Sequence, residues 1–287
     1  MKEFKLKSLI LLLLVGGLTA CGDSDLPENY EIVGSKILAV RVEEPEVMPG
    51  DSVSLSLLVG GNDMAQDSTL PVTWTIGNPG EDPYVQVTTP YNEPYLLTLP
   101  GDILGGKNSV DVPIFAGITI NNHPYTAMKR FRITTNPVGM NPRISHITAT
   151  WNSGQDHHTA DLALGETVSV DKATPTIAFT VSTLGLPQQA NGILVYSWYF
   201  TSSSNSPGIL KVDDIPSHIE ALLGAGVQAA DFRPTVMFSL YGEDAKGTYQ
   251  PGRYTIYIVV RDNASVSHDS SKDRLGTDFY YMTLDVL

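Results

Sequence analysis

Apolar and polar residues alternate along most of this chain. Ile37, Ala39 and Arg41 interleave with Leu38, Val40 and Val42. Val53, Leu55, Leu57 and Val59 interleave with Ser52, Ser54, Ser56 and Leu58. A period of two puts one side of an extended chain in a core, and Pro49-Gly50 predicts the turn between the two runs. The same pattern predicts strands at Val72–Ile76, Tyr84–Thr88, Tyr95–Leu99, Ser109–Phe115 and Tyr125–Thr135. A second series follows at Ile144–Trp151, Thr167–Val170, Thr176–Thr183, Ile193–Phe200, Pro234–Leu240, Arg253–Arg261 and Phe279–Val286. Short strands divided by turn residues, with no sustained helical period, predict an all-β fold of the sandwich type. Two X-Pro steps between Asn136 and Pro142 mark a linker over 136–143. The expected layout is one sandwich over 36–135 and a second over 144–287. Ser217, Ile219, Leu222, Leu223 and Gly224 have the spacing of one short capped helix inserted in the second, over Ser217–Ala230.

The first twenty residues follow another rule. Lys2, Lys5 and Lys7 precede an uncharged run from Leu9 to Val15, and small residues follow. This describes a secretory signal over 1–20, since a spanning helix needs about 20 apolar residues. Leu18-Thr19-Ala20-Cys21 resembles the lipobox of bacterial lipoproteins, and Cys21 is the one cysteine of the chain. The resemblance implies cleavage before Cys21 and lipidation of its sulfur and new amino terminus. Gly22, where an Asp commonly marks inner-membrane retention in Gram-negative lipoproteins, implies the outer membrane. Residues 21–35 then read as the lipidated cysteine and an acidic tether.

Charge narrows the partners. Eighteen Lys and Arg against 31 Asp and Glu give a net charge of −13. A nucleic-acid backbone recruits cations, so that partner is excluded. An acidic body is also repelled by anionic lipid, which leaves acyl chains at Cys21 to supply membrane attachment. The lone cysteine rules out an intrachain disulfide.

Two further resemblances bear on architecture. Pro251-Gly252-Arg253-Tyr254-Thr255-Ile256-Tyr257-Ile258-Val259-Val260-Arg261-Asp262 resembles the closing hairpin of PKD-type and other bacterial Ig-like domains. Val195-Tyr196-Ser197-Trp198-Tyr199-Phe200 resembles their Trp-bearing central strand, although Thr201-Ser202-Ser203 stands where a Gly-Asp-Gly turn is usual. The segments Ile37–Arg41 with Glu44–Asp51, and Ala127–Ile133 with Asn141-Pro142, are similar to a group of envelope lipoproteins of unknown function. The resemblances imply two tandem Ig-like sandwiches on a lipid anchor and carry no catalytic residue.

Candidate chemistry is sparse. Gly101–Lys107 matches the first seven places of a phosphate-binding loop, but Asn108 replaces the hydroxyl residue and period two continues after it, so it reads as a Gly-rich hairpin turn. Asp156, His157, His158 and Asp161 form the densest set of metal-ligand types, in a Gly- and Asn-rich turn. Adjacent His157 and His158 would point to opposite faces of a strand. Asp262, Asp269, Asp273 and Asp278 populate a polar stretch that suits loose calcium binding without an EF-hand spacing. Tyr84, Tyr91 and Tyr95 among Pro83, Pro90 and Pro94 suggest an aromatic face for a glycan or peptide. Neither Gly-x-Ser-x-Gly nor His-Glu-x-x-His occurs. The expected function is a non-enzymatic interaction or spacer module, without cofactor, facing an envelope protein or glycan. A carbohydrate-binding adhesion lipoprotein and a hydrolase using His157 or His158 are the alternatives.

Overall fold

The computed structural model describes residues 32, 34–61, 65–77, 85–137, 141–184, 194–202, 234–240, 251–262 and 276–287. They are organised by strands; the helix expected over Ser217–Ala230 lies outside them. The first series comprises β1 (Ser35–Val42), β2 (Glu46–Val47), β3 (Ser52–Gly61), β4 (Pro71–Ile76), β5 (Val85–Pro90), β6 (Tyr95–Thr98), β7 (Ser109–Ile120) and β8 (His123–Thr134). It folds into a sheet of order β1-β3-β6 and a sheet of order β2-β8-β7-β4-β5. Val53, Leu55, Trp74, Ile114 and Phe131 are buried together in the core these strands share.

The second series comprises β9 (Arg143–Ser153), β10 (Asp156–Leu162), β11 (Thr167–Val170), β12 (Thr176–Leu184), β13 (Leu194–Ser202), β14 (Thr235–Ser239), β15 (Gly252–Asp262) and β16 (Thr277–Val286). Its sheets run β10-β9-β12-β14 and β11-β16-β15-β13. Phe179, Phe200, Phe238, Tyr254 and Ile258 are buried in their common core.

The two series share one wiring, which the residue pattern alone does not display. The opening strand, β1 or β9, pairs with β3 or β12, and that strand pairs with β6 or β14. A short strand, β2 or β11, runs parallel to the last strand, β8 or β16. The last strand pairs with the one before it, β7 or β15, and that one with the Trp-bearing strand, β4 or β13. β5 and β10 are the additions.

Three expectations need correction. The strand expected to stop at Phe115 runs on to Ile120, because Ile118 and Ile120 keep the inward period. It turns through Asn121 (φ 50°) and Asn122 (φ 64°) directly into β8, as a two-residue hairpin with two left-handed residues requires. Gly101–Lys107 is no hairpin turn, since it links β6 of one sheet to β7 of the other. The residues around His157 form a strand rather than a turn, since Gly154 (φ 64°) reverses the chain and β10 returns along β9.

A third apolar cluster joins the two cores. Leu38 and Ala39 of β1, Leu58 of β3 and Ile32 are buried against Tyr257 and Val259 of β15. Ile256, Ile258 and Val260 face the core of their own sandwich, as alternation requires, while Tyr257 and Val259 face the neighbouring one. β15 is thus buried on both sides, and the four sheets stack in layers.

The close approach of β1 and β3 at this junction depends on glycine. Gly61 lies at φ +144°, and a Cβ there would stand 2.3 Å from the Gly34 carbonyl oxygen. Gly61→Ala is expected to destabilise the fold by roughly 1–3 kcal/mol. Gly101→Ala, where a Cβ meets no atom within 4 Å, stays within about 0.5 kcal/mol. Urea midpoints of the two variants check this.

Candidate functional site

The four metal-ligand candidates lie on edge strand β10, and all are exposed. Register places His157 opposite Asn152 and His158 opposite Trp151. His157 Nδ1 is 3.0 Å from Asn152 Oδ1, and the His158 ring stacks on Trp151 with centroids 5.2 Å apart. Asp161 accepts a hydrogen bond from Thr148 Oγ1 at 2.8 Å. The two imidazoles therefore engage neighbours on opposite faces, and among the described residues no group of three metal-ligand side chains converges.

Of the three aromatic candidates, two lie among the described residues. Tyr91 is buried, and Tyr95 packs half-buried against the first core. The Val59 N–H donates to Tyr91 Oη at 3.1 Å, the Tyr91 hydroxyl donates to Gln66 Oε1 at 2.8 Å, and Gln66 Nε2 donates to the Val59 carbonyl at 2.8 Å. This closed ring fixes the end of β3, and its polar atoms explain why a tyrosine tolerates the interior. Tyr84, Asp269, Asp273 and Cys21 lie outside the described residues. Asp262 closes β15, with its backbone in register with Leu194.

Asp278 belongs to the start of β16, not to an acidic loop. It is nearly buried, at 8% exposure. Its Oδ1 accepts from Arg41 Nη1 at 2.8 Å and its Oδ2 from the Ile144 N–H at 2.7 Å. The Arg41 guanidinium also lies over the Phe279 ring, 4.9 Å from the centroid. One carboxylate thus ties β1, β9 and β16 together.

The linker adds a second tie. Asn141 Nδ2 donates to the carbonyls of Val42 and Glu43, at 2.5 and 2.6 Å, and its Oδ1 accepts from the Thr277 N–H at 3.1 Å. Lys129 Nζ donates to Thr277 Oγ1 at 2.7 Å in a buried setting. Arg261 Nη2 donates to the Leu38 carbonyl at 3.1 Å, and Nη1 to Ser197 Oγ at 3.2 Å. Sequence reasoning passed over these residues, yet one signal was visible. Lys129 holds an inward place in the series Tyr125, Ala127, Phe131 and Ile133, where a cation is costly without partners.

Two clefts open along this junction. One, of about 230 Å³, is bordered by Arg41, Asn141, Arg143 and Asp278. The other, of about 450 Å³, runs between β1, β8 and the outer face of the second sandwich and includes Lys129, Ser197, Arg261 and Thr277.

No family model and no curated protein matches the chain. Among solved structures it is similar to the Protocadherin GammaB4 extracellular domain, at 14% identity over 88% of this chain and 33% of that one, with a TM-score of 0.24. Protocadherin Gamma B2 extracellular cadherin domains 3-6 align at 12% identity over 88% of this chain and 50% of that one, with a TM-score of 0.22. Protocadherin Gamma C5 EC1-3 aligns at 12% identity over 88% and 70%, with a TM-score of 0.25. The chain spans a third to a half of the length of the first two. Superposition at these scores is poor, and the strand order defines the architecture.

Burial holds the hydroxyls of Tyr91 and Tyr257 above the ordinary tyrosine value near 10. The unfolded chain releases these protons first, so the stability they support is complete below about pH 10 and falls as pH rises further. Tyr91→Phe leaves the buried Val59 N–H unmatched and is expected to lose roughly 1–3 kcal/mol at pH 7. Its stability also falls less steeply than that of the unsubstituted chain above pH 10. Urea titrations from pH 7 to 11 read both effects. Asp278→Ala removes the acceptor of Arg41 and Ile144 and is expected to lose roughly 1–3 kcal/mol, with Asp278→Asn intermediate, by the same titration.

Proposed function

We propose that this chain is a lipid-anchored envelope protein in which two tandem Ig-like sandwiches act as a non-enzymatic interaction or spacer module. Boundaries at 36–135 and 144–287, with a linker over 136–143, accord with the repeated strand order. The Ig-like reading is supported by two side chains of the second sandwich. Trp198 is buried on β13, and Tyr254 is buried at the start of the penultimate strand, the places that a core tryptophan and a corner tyrosine occupy in Ig-type sandwiches.

One observation carries the reading as a spacer. Ile32, at the end of the tether, is buried in the apolar layer between the sandwiches. Its N–H donates to the Phe200 carbonyl of β13 at 2.8 Å. The chain leaving the anchor is therefore gripped by both halves, and a pull on it loads the junction rather than peeling β1 away. From Cys21 to Ile32 the chain reaches at most roughly 40 Å, so the body stands within that distance of the bilayer. Gly22 supports the outer membrane as the site of attachment.

For the glycan-binding alternative, Tyr91 is internal and Tyr95 half-buried. For the hydrolase alternative, the described partners of His157 and His158 are Asn152 and Trp151.

Intact-mass analysis of the protein from membranes tests the anchor. The expected mass is that of residues 21–287 plus acyl groups, and Cys21→Ser should abolish this processing. An unmodified chain beginning at Met1 contradicts it.

A further inference from the structure

The larger junction cleft has a chemistry unlike that of the rest of the chain. The protein carries 31 acidic residues and a net charge of −13, yet none of the described residues lining the cleft is Asp or Glu. Arg261 and Lys129 both line it. The described partners of the Arg261 guanidinium are neutral, a serine hydroxyl and a backbone carbonyl. Two of its five N–H groups meet them. Tyr199 also lines the cleft, and the Lys36 ammonium lies 5.8 Å from the centre of its ring. The remaining wall is aliphatic, with Leu38 and Val40 on one side and Ala127 and Met128 on the other.

We propose that this cleft binds a small organic carboxylate with a short apolar chain. Its volume, about 450 Å³, lies within the range of small-molecule sites, which favour interfaces between domains. A guanidinium fork matches the two oxygens of a carboxylate, and a partly desolvated setting strengthens that pair. The Ser197 hydroxyl accepts from Arg261 and supplies a further donor of its own. The aliphatic wall selects a ligand with an apolar body, which inorganic anions lack. The surrounding negative charge repels polyanions, while the Arg261 guanidinium, held by neutral partners, can take one carboxylate. The proposal does not depend on the lipid anchor.

The test uses the full chain, labelled with 13C at Met and Ala methyls and purified in detergent. Hexanoate, hexanamide and inorganic phosphate are the probes. Hexanoate is expected to shift the Met128 and Ala127 methyl signals in a saturable way, with hexanamide and phosphate at least about 10-fold weaker. Arg261→Met, which keeps length and removes charge, is expected to weaken hexanoate roughly 10- to 100-fold, the range of a charge-assisted hydrogen bond. If that variant fails to fold, the contrast between carboxylate and carboxamide in the unsubstituted chain decides. Equal titration by hexanoate and hexanamide, phosphate binding as tight as hexanoate, unmoved Met128 and Ala127 signals, or full affinity in a folded Arg261→Met chain would each overturn the proposal.

Discussion

Tyr257 and Val259 turn away from their own core and are buried against Leu38, Ala39 and Leu58 of the first sandwich. The rest of the architecture depends on this contact. Without it β15 would present two large apolar side chains to water, and each fully buried side chain of this size is worth roughly 1.5–3 kcal/mol. With it, the sheet of β1 and β3 and the sheet that contains β15 share one apolar layer. The polar ties gather at its margin. Asp278 collects Arg41 and the Ile144 N–H, and Asn141 bridges Val42, Glu43 and Thr277. Apolar burial holds the layers, and the directional bonds fix how they are turned.

Much of this was legible in the residue pattern, because a strand with one buried face advertises itself by period two. β11 was expected at Thr167–Val170 and stands there. β1, β3, β4 and β12 differ from expectation only at their ends. The failures have physical causes. β10 was hidden because its outward residues include His157 and Asp161 and it follows a glycine turn, so composition pointed to a loop. β7 was cut short because Gly117 and Thr119 weaken the contrast between faces, although Ile118 and Ile120 preserve it. The common wiring of the two series is a property of long-range pairing, which no local window records.

The site was less legible than the fold. The residues of metal-ligand type are exposed on β10 and Tyr91 is buried, while the junction is built from ordinary side chains whose meaning lies in long-range contacts. Arg41 and Asp278 are far apart in the chain and 2.8 Å apart in space. Lys129 and Arg261 share a cleft only because the two sandwiches stack. The visible hint was a local oddity, a lysine on an inward parity. The junction carries its polar chemistry in long-range geometry, and Leu38 and Ala39, which pack with Ile32, also line the larger cleft.

Differential scanning calorimetry tests the stacked architecture most directly. If the layer around Tyr257 and Val259 couples the sandwiches, the chain unfolds in one transition whose calorimetric and van't Hoff enthalpies agree, and Val259→Asp lowers that transition as a whole. Two resolved transitions in the unsubstituted chain, of which Val259→Asp moved only one, would contradict the account.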